Sequence, residues 1–312
     1  MFYLITTVIQ FSAGVLTNGF IVGLNCIDWA KSRTVTPFDM ILTSLAFSRI
    51  CLQLLLTLLN FLYKLQQNFL ESLQIQQSLQ AVWIFTNQVN VCFASCLALY
   101  YCGKIATFKQ SVFKWLKLRL SILVPWMLLG SLMYSMVITV CFILLKNSYT
   151  YWISSDNSTD SLSNNRTMPQ YKKDSLEFTL LMHSIGSIFP LSIFIASSVL
   201  LTLSLWRHIG KMNLNSDLNP SFRNPSTDAH VRALKSVMSF FILYIIYCVA
   251  STLSLGKVPY FRDERKIMVS IFMCSAYPFL HSIILVLGNP KLKLALSRIL
   301  HPINSCFRNG TS

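Results

Sequence analysis

The 312-residue chain is 54% hydrophobic and only 12% charged, against about 25% charged in a soluble domain, and its formal net charge is +15. A soluble fold of this size could not hide so much apolar surface, and the mean hydropathy of +0.54 comes from long apolar runs with polar punctuation between them. The basic charge does not require nucleic acid, because anionic lipid and membrane topology account for it.

Seven runs, at about 3–27, 39–62, 80–103, 121–145, 177–205, 234–255 and 267–288, are near or above the roughly 20 residues that cross the hydrocarbon as a helix. Membrane strands would be short and alternating, whereas Ser121 to Leu145 is apolar on every face. The reading is an all-α membrane protein, a seven-transmembrane helix bundle. The chain opens MFYLITTVIQ, with no basic n-region and its first charge at Asp28, so no cleavable signal peptide is expected. Lys31 and Arg33 follow helix one, which leaves the N-terminus outside and, after seven spans, the C-terminus cytoplasmic. The inner segments hold sixteen Lys and Arg against four acids, the outer ones nine against seven, with Arg49 inside a span.

Arg49 lies about ten residues from either end of helix two, too deep to snorkel, and must face the bundle. Asn18, in the middle of helix one, is the natural partner, with backbone carbonyls completing the donors. The pair is a structural or switching polar core, or Arg49 touches ligand directly. On helix three Trp83, Asn87 and Asn90 stand at i, i+4 and i+7 in the outer half and should face inward. They are interhelical glue, or the few orienting groups of an apolar ligand cleft. Pro125, Pro190 and Pro278 fall inside helices four, five and seven, as hinges or passive kinks. The polar 146–176 segment reads as an extracellular loop glycosylated at Asn157 and Asn165, while Asn309 in the 289–312 cytoplasmic tail stays unmodified. Glu177 and His183, near the outer end of helix five, read as interfacial.

All nine cysteines fall in the helices or the tail, so no disulfide-stapled outer domain is expected. Cys92 and Cys96 share a face without histidine or carboxylate company, and neither metal nor cofactor is called for. No HExxH, nucleophile elbow or phosphate loop is present, and no acid lies deep in a span. These absences argue against an enzyme and against a proton-coupled transporter.

Several segments carry a family resemblance: Asn18-Gly19, Leu45-Ala46 with Arg49, FASCLALYYCGKIATF (93–108), WLKLR (115–119), PWMLLGSL (125–132), LSLWRH (203–208), PSTDAHVRALKSVMSF (225–240) and HSIILVLGNPKLK (281–293). Together they resemble the bitter taste receptors, the type 2 taste receptor family of G-protein-coupled receptors. The resemblance implies a plasma-membrane receptor for small bitter compounds that activates a gustducin-type heterotrimeric G protein. It implies ligand contact at Trp83 and Asn87 and a switch element at Tyr244; with Asn90 from the helix-three stripe, these four make up the expected ligand-binding set. It places Asn18 and Arg49 in the polar core and assigns Lys104, His208, His230, Arg232 and Lys235 to G-protein coupling. The chain departs from the family pattern at Gln88, where histidine is usual, at Cys92, where tryptophan is usual, and at Gly103. A vomeronasal-type pheromone receptor and a small-molecule transporter or channel stand as alternatives.

Overall fold

The computed structural model describes residues 2–65, 73–105, 111–159, 168–215, 225–254 and 264–309. These form eight helices: α1 (Phe2–Ser32), α2 (Pro37–Leu65), α3 (Leu73–Ile105), α4 (Ser111–Thr159), α5 (Met168–Asn215), α6 (Pro225–Ser254), α7 (Glu264–Gly288) and α8 (Pro290–Asn309). Among the described residues there is no strand. Each of α1 to α6 contains an apolar stretch of 21 to 32 residues, long enough to cross a bilayer; that of α7, Phe272–Gly288, turns by 93° into α8.

Local chemistry sets the sharp inner corners. Arg33 adopts a left-handed φ of 55° and its N–H donates to the Trp29 carbonyl at 2.8 Å, closing α1. Thr36 then caps α2: its hydroxyl accepts the Asp39 N–H at 3.1 Å, with Pro37 at the first helical position, where its missing N–H costs nothing. At the other corner the Asn289 side-chain oxygen accepts the Lys291 N–H at 2.9 Å, and Pro290 opens α8. The segment read as the cytoplasmic tail is therefore mostly helix. Leu292 buries against the bundle with Leu296 beside it, while Lys291, Lys293 and Arg298 are exposed, the pattern of a helix lying along a membrane surface.

The bundle is built around α3. Some 78% of its crossing stretch is buried, against 22% for α4, which sits at the edge and turns Leu118, Ile122 and Trp126 outward to lipid. α3 packs on α4 and α5, α1 on α2 and α7, and α6 on α7. One core cluster joins α1, α2, α3, α4, α7 and α8 around Leu45, Phe93 and Leu285; another joins α3, α5, α6 and α7 around Phe194, Phe240 and Tyr277.

Helices four and five are longer than the apolar runs that announce them. Hydropathy marks the part of a helix inside the bilayer, whereas the hydrogen-bond ladder continues past it into water. Residues 146–159 and 168–176 are accordingly helical, and only 160–167 of the supposed loop lie outside the described residues. Asn157 stands in the last turn of α4; Asn165 is outside the described residues. Replacing both by Gln is expected to abolish glycosidase-sensitive mass, read by gel shift; sugar that persists on Asn309 would reverse the orientation.

Pro190 cannot donate to the carbonyl four residues back, that of Gly186. Two neighbours take up the freed oxygen: Gln88 Nε2 donates to it at 2.6 Å and the Tyr134 hydroxyl at 2.8 Å. A Cβ at Gly186 would lie 2.7 Å from a methyl of Ile138 and 3.3 Å from Gln88 Oε1, so α4 and α5 can approach here only across a glycine. Gly186→Ala is expected to destabilise by about 1–3 kcal/mol, measured as a lowered thermal midpoint in detergent.

Lys291 ties α8 to the first two helices. Its ammonium stands 2.9 Å from Asp28 and 3.3 Å from Asp39, and it donates to Asn25 Oδ1 at 3.4 Å. Partial burial opposes the charge, but the hydrogen bonds and charges of Asp28 and Asp39 outweigh it and raise the Lys291 pKa. A lysine whose folded pKa is raised contributes stability fully below the unfolded value, about 10.4, and loses it only as pH rises through the folded one, so this tie is intact at physiological pH. Lys291 and Asp28 are exposed and Asp39 only partly covered, which limits the tie's worth to about 1 kcal/mol or less. Lys291→Ala is expected to leave the bundle folded and to speed amide exchange in 290–300, measured by hydrogen–deuterium exchange.

Candidate ligand site and polar core

Two groups of side chains sit at different depths of the bundle. The deeper one surrounds Arg49, which is fully buried. Its Nη1 donates to Ser282 Oγ at 2.9 Å and its Nη2 meets His281 Nδ1. Arginine can only donate, so His281 Nδ1 is the acceptor and the ring proton resides on Nε2, which donates to the Ser236 carbonyl at 3.2 Å. Ser282 in turn donates to Asn18 Oδ1 at 2.7 Å, and Asn18 Nδ2 donates to the Gly14 carbonyl at 2.9 Å. Asn18 and Arg49 thus belong to one network, as their sequence positions suggest, but they meet through Ser282 and not directly. The partners that sequence reasoning missed, His281 and Ser282, both come from α7, and Ser236 extends the chain of contacts to α6. Four helices are joined around one guanidinium, whose uncompensated burial would otherwise be expensive.

The outer group lies around Trp83 on α3. Asn87 donates back to the Trp83 carbonyl at 2.9 Å, which orients its amide so that Oδ1 accepts the Tyr247 hydroxyl at 2.9 Å. The Trp83 ring packs on His183 with centroids 5.2 Å apart, and His183 meets Tyr247 edge-on at 6.4 Å. His183 is 4% exposed and neither ring nitrogen has a hydrogen-bond partner. It is therefore not the interfacial residue that its sequence position suggests: α5 begins at Met168, so His183 lies roughly four turns inside the helix.

Asn90 does not share this site. Its amide donates to the Ser48 carbonyl of α2 at 3.3 Å and to Thr86 at 3.1 Å, joining α3 to α2. The stripe of three thus divides, with Trp83 and Asn87 toward α5 and α6 and Asn90 toward α2. Tyr244 is buried one turn below the site, its ring 5.9 Å from Tyr247 and 6.1 Å from Tyr277. Tyr277 lies 5.8 Å from Phe240, which contacts His281 at 5.3 Å. A continuous column of rings therefore runs from Trp83 and His183 to the histidine that holds Arg49.

At the inner face Lys104, Arg232 and Lys235 are exposed. Lys104 follows Tyr101 by three residues, and Tyr101 packs on the cluster that includes Ala233 and Val237 of α6, so these cations share one end of the bundle. His208 and His230 lie in α5 and α6, with side chains outside the described residues.

A family model, that of the taste receptor protein (TAS2R) family, matches residues 1–303. The chain belongs to this family. Among its relatives is taste receptor type 2 member 7 of Macaca mulatta, 36% identical over 303 residues that cover 96% of this chain and 92% of the relative. The corresponding protein of Rattus norvegicus is 34% identical and covers 95% and 93%. Taste receptor type 2 member 2 of Homo sapiens is 32% identical and covers 93% of each. The crystal structure of squid rhodopsin superimposes with a TM-score of 0.62 at 15% identity, covering 97% of this chain and 86% of that one, a likeness of fold. The taste receptor chain is thus a multi-pass membrane protein with the seven-helix fold of G-protein-coupled receptors, and a receptor in place of an enzyme.

Proposed function

We propose that this taste receptor resides in the plasma membrane, binds small bitter-tasting compounds between Trp83, Asn87, His183 and Tyr247, and activates a gustducin-type heterotrimeric G protein. The carrying observation is His183. A buried imidazole with both nitrogens unpartnered is costly, and a hydrogen-bonding group on a bound ligand would relieve that cost. Around it the rings of Trp83 and Tyr247 supply apolar walls, and the Asn87–Tyr247 hydrogen bond supplies a second polar contact point, the composition of a small-molecule site. Ligands with an apolar body and at least one donor or acceptor fit this chemistry.

Signal transfer follows the ring column. Displacement of Tyr247 by a ligand bears on Tyr244 and Tyr277, and through Phe240 on His281, which contacts Arg49. Since Arg49, His281 and Ser236 link α2, α7 and α6, a shift of His281 changes how the inner end of α6, with Arg232 and Lys235, is held against α3 and Lys104. These cations, with His208 and His230, form the coupling face in this reading. Its support is spatial continuity, with coupling to be measured.

The test is a panel of bitter compounds applied to cells that carry the receptor and a gustducin-type α subunit, read by intracellular calcium. A dose-dependent response that needs both components is the expected result; solute flux without a G-protein response would assign the chain to transport.

A further inference from the structure

Between α3, α4 and α5 lies a cavity of about 400 Å³. The crossing stretches of α4 and α5, Lys117–Ser148 and Phe178–Arg207, put its residues Gly130, Tyr134, Pro190 and Ile193 near the middle of the bilayer. Its lining shares no residue with the outer site of Trp83, Asn87, His183 and Tyr247, and none with the cluster of Ala81, Ile84 and Phe142 on which Trp83 packs. Gly130 marks the side open to lipid. At Gly186 a glycine lets two helices touch, whereas a Cβ added at the exposed Gly130 would meet no other part of the protein within 4 Å. The missing side chain therefore serves no helix contact, and the bundle leaves the space beside it unused.

The chemistry of the lining selects a ligand. None of its side chains is charged. It carries three hydroxyls, and each proton is already committed to a backbone carbonyl: Tyr134 donates to Gly186 at 2.8 Å, Ser131 to Met127 at 2.8 Å, and Ser95 to Pro190 at 2.7 Å or Val91 at 2.8 Å. Cys96 Sγ sits 3.4 Å from Ser131 Oγ, and a thiol is a weak donor. What the hydroxyls retain is oxygen lone pairs, so the lining accepts hydrogen bonds better than it donates them. The rings of Tyr134 and Phe189, with centroids 5.5 Å apart, form an aromatic wall that Leu99 and Ile193 extend. At this depth a ligand hydroxyl finds no water, and an acceptor on the protein removes the cost of burying it.

We infer that this cavity is a second binding site, entered from the bilayer, for a small uncharged molecule with an apolar body and one hydroxyl, an alcohol or a phenol, whose O–H donates to Tyr134 Oη. A charged head placed here would lie in hydrocarbon without a counter-charge, and a lipid acyl chain would leave the acceptors unused. A phenol meets both halves of the lining, its ring and alkyl part against Phe189 and Ile193 and its proton on the tyrosine oxygen.

Receptor in lipid nanodiscs would be photolabelled with a phenol carrying a para trifluoromethyl-diazirine, and the adducts mapped by peptide mass spectrometry. The competitors are 4-hexylphenol and its methyl ether, 4-hexylanisole, which matches the body but cannot donate. Gly130→Leu fills the cavity from a position that touches no other part of the protein. Tyr134→Phe keeps the ring and removes the acceptor, with Gln88 still bonded to the Gly186 carbonyl, and serves if the first variant folds poorly. The expected result is labelling of the cavity residues, displaced by the phenol at a roughly fivefold or more lower concentration than by the ether, the worth of one hydrogen bond. Gly130→Leu should abolish most of that labelling, and Tyr134→Phe should bring phenol and ether level. Equal displacement by the two competitors in the wild type would mean an apolar crevice filled by acyl chains and would overturn the proposal. So would labelling that is unchanged in both variants, or that falls on Trp83 and His183 instead.

Discussion

Arg49→Ala is expected to be the most damaging single substitution in the chain, lowering stability by about 3–5 kcal/mol and removing most surface expression. Three effects combine. The hydrogen bonds from the guanidinium to Ser282 and His281 are lost, a volume at the centre of the bundle is emptied, and His281 Nδ1 is left buried without a donor. Arg49→Met separates these effects, because it restores most of the volume without the donors and should fall between alanine and the wild type. Thermal unfolding in detergent, with surface labelling in cells, makes the comparison. An alanine variant as stable as the wild type would mean that the four-helix junction does not hold the bundle together.

The second large effect is expected at the outer site. Trp83→Ala removes the ring on which His183 packs, and Asn87→Ala removes the acceptor of the Tyr247 hydroxyl; either should lower agonist potency roughly tenfold or more, at ~1–3 kcal/mol for a packed ring or a buried hydrogen bond. Asn87 and Tyr247 act as a unit, so Tyr247→Phe should cost little once Asn87 is already alanine. His183→Phe keeps the ring contact with Trp83 and deletes both nitrogens. It should therefore weaken agonists that carry a hydrogen-bonding group and spare those that lack one. The readout is a set of calcium dose–response curves at matched surface expression; unchanged potency for every agonist in Trp83→Ala and Asn87→Ala would remove the ligand from this position.

Much of this architecture was legible in the sequence, because a bilayer requires long apolar runs and a deep charge must face protein. The spans, the inward direction of Arg49, its association with Asn18 and the inward Trp83 and Asn87 all follow from those two requirements. Helical spacing states which residues share a face, but not which neighbour the face meets. For that reason Asn90, formally on the stripe of Trp83, turned out to bond α2, and the α7 partners of Arg49 stayed hidden within the apolar run HSIILV.

Residues 146–159 read as a loop because hydropathy ends where the bilayer ends, while α4 continues to Thr159. His183 has a different cause: it lies within the recognised run 177–205, but hydropathy does not state which side of a helix its neighbours cover, and Trp83 and Tyr247 bury it. The α8 signal was present in Asn289-Pro290, a cap followed by a proline at the first helical position, with leucines at 292 and 296 on one side. It escapes a search for spans because only one side of α8 is apolar, with Lys291, Lys293 and Arg298 exposed. Gln88, read as a departure from the family, has a structural duty in satisfying the carbonyl that Pro190 frees.

The most direct test joins the outer site to the inner face in one purified system. Receptor reconstituted in lipid nanodiscs with a gustducin-type heterotrimer would be exposed to an agonist from the compound panel while guanine-nucleotide exchange on the α subunit is followed. The account predicts agonist-dependent acceleration of exchange in the wild type, a dose–response shifted by about tenfold or more in Asn87→Ala, and a reduced maximal rate in Arg232→Ala with agonist affinity retained. Exchange that does not respond to agonist, or responds identically in the wild type and both variants, would contradict it.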